Sequence, residues 1–121
     1  IQILKNLDKK FPNQAAILGV IGGIYFSLRD WENSYIYYKK TAKLAPKSET
    51  ASIALFHCLF ELEKYDESLD EIKRFISISQ KFDLKLKEYN LLLSDWKRDL
   101  NLKTDDYFEI AEAFFRTLKL F

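Results

Sequence analysis

Leu28-Arg29-Asp30-Trp31-Glu32-Asn33-Ser34 recurs, in pattern, as Leu62-Glu63-Lys64-Tyr65-Asp66-Glu67-Ser68. Each copy has a short polar break, then an aromatic residue, an acidic residue and a serine three places after the ring. On a helix, positions three apart share a face. An aromatic anchor followed one turn later by a small residue therefore lets a second helix approach closely, as a tight helical hairpin requires.

The two copies are 34 residues apart, and so are the only two prolines, Pro12 and Pro46. A fixed interval of this size marks a repeat. The same shift lays Ile21 on Leu55, Arg29 on Glu63, Tyr38 on Ile72 and Leu44 on Ile78. Proline ends one helix, and Asn13 or Ser48 then stands where it can cap the next. The three glycines all lie within one helical stretch, so the frequent turns of a many-stranded fold are missing.

The reading is all-α, with about seven helical segments forming stacked antiparallel hairpins. Residues 1–12 are the tail of a preceding hairpin, 13–46 and 47–80 are two repeats, and 81–121 form a longer, divergent terminal hairpin. Within the last, Asp83 to Leu100 reads as a long first helix and Thr104 to Leu120 as its partner. Thr104, Asp105 and Asp106 suit a helix start. Ile110, Ala111, Phe114, Phe115 and Leu118 share a stripe that should pack on Tyr89, Leu92, Leu93 and Trp96. The chain opens on Ile1-Gln2-Ile3-Leu4, already the apolar side of a helix, and holds no methionine. It is expected to be a fragment or a processed product.

Ile17 to Phe26, followed by Trp31, Ser34, Tyr38, Thr41 and Pro46, resembles a tetratricopeptide repeat. Gly22 stands at that family's small first-helix position, Tyr25 at an aromatic one, Trp31 where tyrosine is usual and Pro46 at the closing proline. The second copy departs at Phe56, Phe75 and Gln80. A third fits only through Phe108, Ala111, Phe115 and Leu118. The resemblance implies an α-solenoid whose first helices line a concave groove, and there it places Ala16, Gly19, Gly23, Phe26, Ile53, His57 and Phe60 as protein-binding residues. Gly19 and Gly23 would form a smooth floor, or else merely permit tight packing. Some relatives grip a terminal carboxylate with a Lys and an Asn; here those places hold Gly19 and Gly23, then Ile53 and His57, then Lys87 and Leu91, so that activity does not carry over.

Composition bounds the function. At 121 residues, 48% hydrophobic and 31% charged, the chain suits one soluble domain. A net charge of +1 without basic blocks argues against nucleic acid. The apolar run from Ala15 to Phe26 is shorter than the roughly 20 residues that span a bilayer. Cys58 is the only cysteine and His57 the only histidine. Adjacent helical side chains diverge by about 100°, so the two form no nucleophile and base pair. No catalytic residue, metal or cofactor is expected, and a lone cysteine suits the cytoplasm. Asp66, Glu67, Asp70 and Glu71 read as a solvated acidic face that can pair with Lys64, Lys73 and Arg74. The expected function is a scaffold that binds a protein or peptide. The alternatives are a spacer or homo-oligomer using exposed Leu118, Leu120 and Phe121, and an immunity or inhibitor protein.

Overall fold

The computed structural model describes residues 1–79, 87, 88, 91 and 104–118. These hold the helices α1 (Gln2–Lys10), α2 (Ala15–Ser27), α3 (Trp31–Leu44), α4 (Glu49–Glu61), α5 (Tyr65–Ile78) and α6 (Thr104–Thr117), and no strand. Of the expected long helix from Asp83 to Leu100 only Lys87, Glu88 and Leu91 are described, and these are helical; its packing partners Tyr89, Leu92, Leu93 and Trp96 lie outside the described residues, as do Leu120 and Phe121.

The two turns at the start of the repeated heptapeptides are built alike. Arg29 and Glu63 both adopt the left-handed conformation, with φ of 57° and 61°. At the first turn the Asp30 N–H reaches back to the Tyr25 carbonyl and the Arg29 N–H to that of Phe26; at the second, Lys64 reaches Leu59 and Glu63 reaches Phe60. These bonds satisfy the last carbonyls of α2 and α4 and reverse the chain in three residues. Ser48 caps α4 by accepting from the Ala51 N–H at 3.2 Å. Asp30 caps α3 by accepting from Asn33. Asn13 does not cap α2. It sits in the left-handed region at φ 62°, a conformation asparagine tolerates, and the helix starts two residues later with no side-chain cap.

Both hairpins are antiparallel. Along α3, Ser34 and Tyr38 meet Gly22 while Thr41 faces Gly19; across α4 and α5, Phe60 meets Tyr65 and Ser52 bonds Glu71. Residues matched by the 34-residue shift share their burial: Ile21 with Leu55, Ser34 with Ser68 and Tyr38 with Ile72 are all buried, whereas Leu44 and Ile78 are 45% and 40% exposed. The departure at Phe56 has a packing reason. Gly22 is apposed to the Tyr38 ring, whereas the equivalent Phe56 lies in the same buried cluster as the smaller Ile72. The ring thus comes from the second helix in the first hairpin and from the first helix in the second.

Helix α4 touches both α2 and α3, so the second hairpin lies directly on the first. The terminal stripe is buried at Ala111, Phe114 and Phe115, the two rings being only 1% and 2% exposed. Among the described residues its partners are Phe56, Leu69, Ile72 and Ile76 of α4 and α5. Leu118 is half-buried on this cluster and not exposed as expected for self-association. Tyr65 meets Phe108 while Phe56 meets Phe114 and Phe115, so α6 runs antiparallel to α4.

Candidate functional site

A cleft of about 510 Å³ opens where α2, α3, α4 and α6 converge, lined by Phe26, Ser27, Arg29, Trp31, His57, Glu61 and Phe115. Its floor is a chain of touching rings. Phe26 and Trp31 flank the first hairpin turn and meet edge to face, with centroids 5.2 Å apart. His57 of α4 stacks on Trp31 at 5.1 Å and meets Phe26 edge-on at 4.9 Å. Phe115 then meets His57 at 4.8 Å. The mutual angles of 84° and 88° are the edge-to-face geometry that aromatic quadrupoles favour.

His57 Nε2 lies 3.4 Å from Glu61 Oε1, one turn along α4. Burial pushes the His57 pKa below its ordinary value, and the Glu61 carboxylate opposes that with its charge and hydrogen bond. Arg29 stands at the exposed rim and has no carboxylate partner among the described residues, whereas Glu61 is already engaged by His57.

The residues read from sequence divide four ways. Phe26 and His57 line the cleft. Gly19 and Gly23 are not its floor: a Cβ on Gly19 would lie 3.7 Å from Thr41 Cγ2, and one on Gly23 would lie 3.3 Å from the Tyr38 hydroxyl. Both therefore look toward α3, because their shared face meets the hairpin partner. Ala16 is exposed and Ile53 half-buried, and neither lines the cleft. Phe60 is not left unpaired. Phe115 stacks on it at 4.4 Å and Phe108 at 6.0 Å, so α6 covers this part of the expected groove.

Trp31, Arg29, Ser27, Glu61 and Phe115 line the cleft without having been expected there. Trp31 reads from sequence as a wedge within its own hairpin, yet it also reaches the next one through His57. The repeat holds the missing signal: Phe26 and Phe60 each precede the repeated ring, Trp31 or Tyr65, by five residues, and the pairs meet at 5.2 and 5.4 Å.

Cys58 is fully buried, and burial pushes its thiol up to about 11 against the pull of the nearby Ser34 hydroxyl. It is neutral at physiological pH. Among the described residues no group of three or more His, Cys, Asp or Glu is placed to hold a metal ion, and no helix is long and apolar enough to cross a membrane. On the opposite side of α4, Glu71 is no solvated carboxylate: it accepts from Ser52 at 3.0 Å and from the Arg74 guanidinium at 2.6 and 3.0 Å, while Arg74 also donates to the Pro46 carbonyl.

No family model, curated protein or solved structure matches the chain.

Proposed function

We propose that the chain is a non-catalytic interaction module of tetratricopeptide-like, solenoid character, acting in the cytoplasm, and that it takes a protein or peptide partner in the cleft around Phe26, Trp31 and His57. The observation that carries this reading is the open cleft itself, with the half-buried rings of Phe26, Trp31 and His57 in its floor and Ser27, Arg29 and Glu61 at its exposed rim. Aromatic side chains in such a recess lose little entropy on binding and concentrate contact energy in a few residues. The repeated turns and matched burial of the two hairpins support the repeat character. The buried Cys58 thiol and His57, which faces rings and Glu61, give no nucleophile beside a base.

Affinity capture with the full chain, followed by mass spectrometry, tests it. Partners should be lost with Phe26→Ala or His57→Ala and retained with Tyr37→Ala or Lys40→Ala, with circular dichroism showing intact helices. The opposite pattern would move the functional surface to the other side of α2 and α3.

A second reading, self-association, is favoured by α1. Ile3, Leu7 and Phe11 follow one another at intervals of four and are all exposed. Sedimentation equilibrium decides this: a dimer dispersed by Leu7→Lys supports it, and a monomer at high concentration excludes it.

A further inference from the structure

The geometry points to a specific ligand class for the cleft, a peptide that presents an aromatic side chain with an Asp or Glu within about one helical turn. This inference rests on the interaction reading above and names what the site selects. The second hairpin supplies the first argument. Its Phe60 and Tyr65 meet at 5.4 Å, repeating the Phe26 and Trp31 pair, and on them sits the ring of Phe108, at 6.0 Å from Phe60 and 5.0 Å from Tyr65. The molecule thus already places an aromatic side chain from another helix on this pair of rings. That helix segment reads Asp106-Tyr107-Phe108-Glu109, an aromatic pair between two acids. The first hairpin carries the same ring pair, with His57 stacked on Trp31, beside a cleft that α6 borders through Phe115 and leaves open.

Charge supplies the second argument. At the position matched by the 34-residue shift the second hairpin carries Glu63, whereas the first carries Arg29. Among the described residues, Arg29 is the cation at the cleft without a carboxylate partner, and the rim carboxylate, Glu61, already faces the His57 imidazole at 3.4 Å. A guanidinium has a planar fork that matches a carboxylate with two parallel hydrogen bonds. An aromatic anchor on the floor would bring a neighbouring Asp or Glu within its reach. A basic flank would meet like charge.

Selection of a phage-displayed random dodecapeptide library on the full chain tests this. Wild type should enrich, at least tenfold, peptides with Trp, Tyr or Phe and an Asp or Glu within four positions. Arg29→Glu, an exposed change, should shift the flanking preference to Lys or Arg. Phe26→Ala should abolish enrichment, and Phe26→Leu serves in its place if the alanine variant loses helical signal. Aromatic peptides that depend on Phe26 but show no acidic bias, or no response to Arg29→Glu, overturn the ligand class and leave the cleft reading standing. If enrichment is indifferent to Phe26, or no peptide is enriched, both fall.

Discussion

Gly19 and Gly22 have the same composition and helix, and opposite reasons for being there. A methyl added to Gly22 would meet the Tyr38 ring at 3.0–3.3 Å, closer than ordinary contact, while one added to Gly19 meets only Thr41 at 3.7 Å. Glycine in a helix interior costs roughly 1 kcal/mol relative to alanine. Gly19→Ala should therefore raise stability by up to about 1 kcal/mol in urea denaturation. Gly22→Ala should lose that gain and more, by roughly 1–3 kcal/mol, because the close-packed hairpin must open. Equal effects would show that Tyr38 moves aside freely. The need for a small residue at Gly22 is what the family resemblance implies, and the 34-residue shift, which lays Phe56 on it, does not show it. The direction of Gly19 and Gly23 is not legible in the sequence, since a shared face at intervals of four does not say which neighbouring helix it meets. Cys58 makes a second prediction at this scale: an aromatic disulfide reagent at pH 8 should leave the native thiol unmodified and label it fully in denaturant. Rapid labelling of the native chain would contradict its burial.

The hairpins owe their shape to turns that the sequence marks only by polarity. Arg29 and Glu63 hold φ of 57° and 61° without being glycine, which costs a residue bearing a Cβ roughly 1–2 kcal/mol. Part of this returns as unfolded-state freedom when glycine is introduced. Glu63→Gly should accordingly stabilise the fold by about 0.5–1 kcal/mol, measured by thermal or urea unfolding, and a destabilisation would show that the side chain makes a contact outweighing the strain. The second element-scale device ties α5 to the turn between hairpins through Arg74 to Pro46, and to α4 through Glu71 and Ser52. Charged hydrogen bonds in such half-buried settings contribute about 1.5–3 kcal/mol. Arg74→Met, which keeps the aliphatic stem, should cost about 1–2 kcal/mol, whereas a neutral result would place the pair among surface ion pairs that contribute little. The repeat marks the starts of α3, α4 and α5, because Ser48 and the polar breaks act locally. It misses the Glu71 tie, since a carboxylate spaced among other charges looks the same whether it faces water or a neighbouring helix.

At the scale of the molecule, the single histidine joins parts that are distant in sequence. His57 belongs to α4, touches Phe26 and Trp31 of the first hairpin and is met by Phe115 from α6. This meeting is why the cleft was only half legible: periodicity places Phe26 and His57 on first helices, but nothing local tells that α6 folds back over Phe60 and closes one end. It also makes the global stability sensitive to acid. Burial lowers the His57 pKa in the folded state, with Glu61 the charged group facing it and pulling in the opposite direction. Above about pH 6.5 the imidazole is neutral whether the chain is folded or not. As the pH falls below that value the unfolded chain takes up its proton first, so it binds more protons than the native state and stability must fall with pH. Most carboxylates titrate lower, which isolates the effect between about pH 7 and 5.5. Urea midpoints followed by circular dichroism should therefore decline across that window in the wild type and stay level in His57→Phe, which keeps a ring between Trp31 and Phe115. Midpoints that rise toward acid would mean the Glu61 pairing outweighs burial, and a decline that persists in His57→Phe would assign the sensitivity to a carboxylate.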